Sequence, residues 1–142
     1  MLVSRSDHPA ADWEAAVGSL YANNVRAVTI CTYRLNEYDD ATETFGTGIG
    51  TNSAHGYGCP GDDDIAAALD RAKALGMTVT LCPMVEVDSE GSRINYPKGI
   101  GDVWRGEISF AEQAQVNAWF VSYASYILGM AQLAHQHGAD AR

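Results

Sequence analysis

Between residues 76 and 107 lie the side chains of this sequence with the clearest capacity for chemistry: Glu86, Asp88, Trp104, Arg105 and Glu107. An indole face can stack on a pyranose ring, and a guanidinium can donate to hydroxyls or hold a nearby carboxylate ionised. Glu86 can accept from hydroxyl groups, or it can serve as ion-pair partner to Arg105 or Arg34. A structural role suits Trp104 and Arg105 equally: a ring packed on the core and a guanidinium bonded to backbone carbonyls would anchor a loop. Residues 77–82 position this group. They form a short β-branched run that reads as a buried strand; Gly76 closes the helix before it, and Pro83, with no N–H to donate, is expected to end it. The loop beyond opens at the strand's C-terminal end, the edge where ligands bind in α/β proteins.

The rest of the chain supplies elements of alternating type. Trp13, Val17, Leu20 and Tyr21 repeat with helical spacing after Asp12, and Asn23 and Asn24 stop that helix because Asn tolerates the left-handed conformation of a helix exit. Residues 25–33 centre on Val28, Thr29 and Ile30 and read as a strand buried on both faces; Leu2 and Val3 are at most the stub of another. Residues 34–61 show no sustained period and carry six glycines from Gly46 onward, so a long loop is expected there. Ile65, Ala68, Leu69, Ala72 and Leu75 mark a helix whose first turn, Asp62 to Asp64, favours the exposed N–H groups and the dipole rather than a metal. Ser109 and Glu112 have the spacing of a capping box for a long final helix, in which Gly129 would permit close approach of a neighbour and Gly138 ends the run. Helix and strand alternate, so the predicted fold is α/β, with strands 25–33 and 77–82 adjacent, parallel and joined by a right-handed crossover.

Charge and cysteine usage remove several functions. With 18 acidic against 9 basic residues, the net charge of -9 argues against binding nucleic acid or an anionic membrane surface, both of which need clustered Lys and Arg. No run of about 18 apolar residues occurs, so no membrane span is expected. Cys31, Cys59 and Cys82 are an odd count without a C-x-x-C spacing; with His55 they could be drawn into a thiolate–imidazole metal site, but buried cysteines of this kind are ordinarily inert, and no metal or cofactor is expected. Gly46, Gly48 and Gly50 suggest a dinucleotide-binding turn, yet Thr51 stands where the third glycine would be needed.

Four segments carry a family resemblance. Residues 75–87 (Leu-Gly-Met-Thr-Val-Thr-Leu-Cys-Pro-Met-Val-Glu-Val), 104–108 (Trp-Arg-Gly-Glu-Ile), 119–123 (Trp-Phe-Val-Ser-Tyr) and 131–134 (Ala-Gln-Leu-Ala) resemble, in that order and spacing, glycoside hydrolase family 113. The likeness runs from about residue 19 to 140 and takes in the strand that follows Asn23. It implies a β-mannanase-type (β/α)8 barrel, of which residues 1–142 would be the N-terminal portion of a single domain, and an oligosaccharide or polysaccharide substrate. It places Trp104, Arg105 and Glu86 among the sugar contacts, with Tyr33 and Met84 lining the barrel mouth. The resemblance further implies an acid/base glutamate after strand four and a nucleophilic glutamate after strand seven, both beyond Arg142, since retaining hydrolysis needs two carboxyls about 5 Å apart. Where the family often reads Lys-Pro-His-x-Asp after strand three, this sequence has Cys82, Met84 and Glu86, a departure that bears on sugar contacts and on mannan specificity. Related barrel domains occur in phage-like particles, so a non-catalytic carbohydrate-binding or structural module is the alternative function.

Overall fold

The computed structural model describes residues 2–3, 10–51, 59–89 and 103–140. In chain order the elements are β1 (Leu2–Val3), α1 (Ala10–Ala22), β2 (Ala27–Asp39), β3 (Thr44–Gly50), α2 (Asp62–Ala74), β4 (Thr78–Asp88), a 3-10 turn (Arg105–Glu107) and α3 (Gln113–Gln136). They form two compact units. The first comprises Met1–Thr32, Cys59–Met84 and Leu128–Arg142; the second comprises Tyr33–Gly58 and Val85–Ile127.

The first unit is a sheet covered by helices. β1 pairs parallel to β2, with Leu2 opposite Ile30 and Val3 opposite Cys31, so the two-residue stub read from the sequence is a strand. β4 pairs with β2, as the adjacency of the two main runs predicts. α1 contributes Trp13 and Val17 to the core, and α2 contributes Ile65, Ala68, Leu69 and Ala72, the face its periodicity marks. Val28, Ile30 and Val79 from the strands, and Met77 just before β4, are buried with them. Residues 30–36 of β2 are buried without alternation, which is how a strand covered on both faces presents itself.

The three α-helices of the described residues end alike. At Asn24, Gly76 and Gly138 φ is +64°, +71° and +68°. The residue after each donates its N–H five positions back across the last turn: Val25 to the Leu20 carbonyl at 3.1 Å, Met77 to Ala72 at 3.0 Å and Ala139 to Ala134 at 2.9 Å. This is the Schellman closure, which satisfies helix-end carbonyls and needs a left-handed residue. The exit from α2 turns directly into β4. Asp140, just past the exit of α3, returns to that strand: its N–H donates to the Val79 carbonyl at 2.8 Å, its Oδ2 accepts from the Val79 N–H at 2.8 Å, and the same carboxylate takes Lys73 Nζ at 3.0 Å. His137 Nδ1 lies 2.8 Å from Asp70 Oδ1, so this histidine pairs with α2 in addition to standing at a helix C-terminus.

Four local expectations are corrected. Residues 34–50 are not loop: β2 runs on to Asp39 and turns into β3 as an antiparallel hairpin. Pro83 does not end its strand, for β4 continues to Asp88; β4 pairs with no described strand other than β2, and a strand with one side unpaired tolerates a residue lacking its N–H. The cap of α3 is Glu112 rather than Ser109: its carbonyl accepts from Val116 N–H at 3.2 Å, while Gln115 Oε1 accepts from the Glu112 N–H at 3.2 Å. Gly129 admits no close neighbour, because nothing among the described residues lies within 4 Å of where a Cβ would stand. Gly129→Ala should therefore raise stability by about 1 kcal/mol, the helix-propensity difference, seen as a higher urea midpoint at unchanged slope; a lower midpoint would mean the site is occupied.

Candidate functional site

The second unit holds the residues singled out for chemistry, and its framework is the β2–β3 hairpin. Leu35 pairs with Gly50 and Asn36 with Ile49, then Tyr38 with Phe45 and Asp39 with Thr44, the register shifting between Asn36 and Tyr38. Asn36 is fully buried. Its Nδ2 donates to the Gly46 carbonyl at 2.7 Å and the Gly48 carbonyl at 3.0 Å, and its Oδ1 accepts from Trp119 Nε1 at 3.3 Å. One amide thus replaces the ladder bonds that the shifted register and the glycine-rich strand leave out. Ser122 Oγ adds a bond from the Ile49 N–H at 2.8 Å. Trp119 is itself packed, stacked on Tyr123 at 5.2 Å and meeting Phe120 edge-on at 5.2 Å. Sequence reasoning gave Trp119 and Ser122 a place in a helix motif and missed Asn36, whose buried amide amid a predicted loop has no periodic signature.

The hairpin turn is held by Asp39. Its Oδ1 accepts from the N–H groups of Ala41 at 2.9 Å and Thr42 at 3.3 Å. The Thr42 hydroxyl and these two N–H groups hold the Asp39 carboxyl below the usual aspartate range, because each stabilises the charged form. Tyr38 responds in the opposite sense: desolvation first, then Glu43, Asp40, Glu107 and Asp39, push its phenol upward and keep it protonated.

Beyond β4, Trp104 and the 3-10 turn form a self-supported corner. The Glu107 N–H donates to the Trp104 carbonyl at 2.7 Å, and Glu107 Oε2 accepts from the Trp104 N–H at 2.6 Å. The Trp104 ring folds over Gly106, where any Cβ would overlap it, and the side chain is 50% exposed. Glycine at 106 therefore lets one indole face rest on the turn. Arg105 Nη1 pairs with Glu86 Oε1 on β4, as one of the two arginines the sequence offered to Glu86. Such a half-exposed pair contributes roughly 0–1 kcal/mol to stability, so its worth lies in fixing the guanidinium.

The remaining candidates lie elsewhere in accessibility. Tyr33 is buried within this unit, and Asp88 is buried at the end of β4. Met84 belongs to the first unit and is half-buried. Cys31 and Cys82 also belong to the first unit; burial and the neighbouring Cys82 sulfur push the Cys31 thiol upward, which keeps it protonated. His55 lies outside the described residues. No helix among the described residues is long and apolar enough to cross a membrane.

Comparison with known proteins decides the family. The model of Glycoside Hydrolase Family 113 matches residues 13–141. The chain belongs to that family. Among solved structures, the family 113 β-mannanase AaManA from Alicyclobacillus acidocaldarius, in complex with ManMIm, is similar to it with 26% identity and a TM-score of 0.65. A family 113 β-1,4-mannanase and a complex structure of a family 113 β-1,4-mannanase each share 21% identity, with TM-scores of 0.62 and 0.60, and show likeness of fold. This family 113 chain is covered over 90% of its own length by the first comparison and 96% by the other two, yet it spans only 36% and 40% of those proteins. Its fold class is accordingly that of the strand–helix alternation in the family 113 (β/α)8 barrels. No curated protein matches the chain.

Proposed function

We propose that residues 1–142 form the N-terminal portion of a retaining glycoside hydrolase barrel that acts on a β-linked polysaccharide such as mannan. The observation that carries this reading is the family match over residues 13–141, supported by likeness to a β-mannanase in complex with ManMIm. In this reading both catalytic glutamates stand beyond Arg142, and this chain supplies part of the sugar-binding face. Trp104 offers its exposed indole face to a pyranose, Arg105 donates to sugar hydroxyls from a position fixed by Glu86, and Glu86 is an acceptor for hydroxyls.

The carboxylates within the chain are arranged for binding. Glu86 is occupied by Arg105, Glu107 by the Trp104 N–H, and Asp39 by its turn. The chain alone should release no reducing sugar from mannan, whereas the longer open reading frame that contains it should do so at kcat values ordinary for hydrolases. Release by residues 1–142 would overturn the placement of the catalytic pair. A longer protein that binds but does not cleave mannan would favour the non-catalytic module.

A further inference from the structure

The groove walled by the hairpin on one side and the 3-10 turn and start of α3 on the other has a volume of about 680 Å³, within the range of small-ligand sites. Tyr38 and Phe45 face each other across the ladder with ring centroids 4.8 Å apart at 57°, so they make a bent aromatic wall. Phe110 adds a third ring, and Glu43, Glu107 and Gln115 bring polar groups to the lining. The Trp104 and Arg105 side chains are not part of it. Two of its walls are built against local preference: the register shift lies immediately before Tyr38, and Glu43 stands at φ +54°, where glycine or asparagine would be expected. A glutamate kept in that backbone position is a local cost that its carboxylate in the groove can account for.

We propose that this groove is a second sugar-binding subsite, taking a neutral pyranose unit of the polysaccharide chain; the proposal rests on the glycosidase reading given above. Ring faces for stacking and carboxylate and amide side chains for hydroxyls are the two chemistries a neutral sugar needs. The charge excludes the acidic alternative. No Lys or Arg lines the groove among the described residues, and Glu43 and Glu107 would repel a uronate. Tyr38, on the same wall, brings a phenol hydroxyl to the lining. A subsite here would hold a polysaccharide away from the Arg105–Glu86 pair, so that longer substrates gain more than short ones.

Titration calorimetry of the chain with mannohexaose tests this, alongside Glu43→Gly, which relieves the left-handed backbone, and Phe45→Leu, which keeps an apolar side chain. Glu43→Gly should melt no lower than the parent sequence and bind at least five-fold more weakly, Phe45→Leu should also bind at least five-fold more weakly, and affinity should vary little with salt. In the longer open reading frame the same substitutions should raise KM several-fold for mannohexaose and less for mannotriose. Unchanged affinity in both variants, no mannohexaose binding by the chain, equal KM effects on both substrates, or a salt-dependent preference for a glucosamine hexamer would each overturn the subsite. Loss of hydrolysis in the longer protein with groove binding intact would instead count against the glycosidase reading.

Discussion

Asn36→Asp should destabilise the chain by about 3 kcal/mol although it changes one group and almost no volume. The native amide donates to two carbonyls, Gly46 and Gly48, from a fully buried position. A carboxylate in its place has no proton to give, and a protonated carboxyl has one for two acceptors; each buried group left unsatisfied costs about 1–3 kcal/mol. Trp119 Nε1 would keep its acceptor, so the loss localises to the hairpin. Urea unfolding at unchanged slope measures it, and amide exchange should rise first in β3. A variant within 0.5 kcal/mol of the parent would mean that water already serves those carbonyls.

The second large effect is on turnover. In the longer open reading frame, Arg105→Ala should lower kcat/KM by about 10- to 100-fold, the loss of one charge-assisted hydrogen bond of roughly 1.5–3 kcal/mol to the sugar. Its effect on stability should be small, since the pair with Glu86 is half-exposed on the arginine side and worth roughly 0–1 kcal/mol. Steady-state kinetics paired with thermal melts separates the two. A mutant that melts well below the parent but turns over normally while folded would return Arg105 to the role of loop anchor.

Sequence alone made much of this legible, where a residue type answers to one backbone demand. Asn24, Gly76 and Gly138 mark helix exits because only such residues accept positive φ cheaply, and all three are found there. The faces of α1 and α2 follow from 3.6-residue spacing. The hairpin was hidden for the opposite reason: Gly46, Gly48 and Gly50 alternate along β3, so the strand lacks the β-branched period that identifies strands, and its cohesion comes from a side chain ten residues upstream. Pro83 misled because a missing N–H matters only on a paired side. At the candidate site, the Trp104–Glu107 motif was visible as a motif, but the pairing of Arg105 with Glu86 depends on the three-dimensional path of β4 and the 3-10 turn. The groove beside Tyr38 was invisible, since it needs β2, β3 and α3 at once.

On the function proposed above, this family 113 chain binds sugar for a catalytic pair placed beyond Arg142. A mechanism-based 2-deoxy-2-fluoro mannoside traps the covalent glycosyl-enzyme of a retaining enzyme. Incubated with the longer open reading frame and followed by peptide mass mapping, it should label one glutamate located after Arg142, and it should leave residues 1–142 unmodified when these are treated alone. A label on Glu86, Glu107 or any other acid within residues 1–142 would contradict the account.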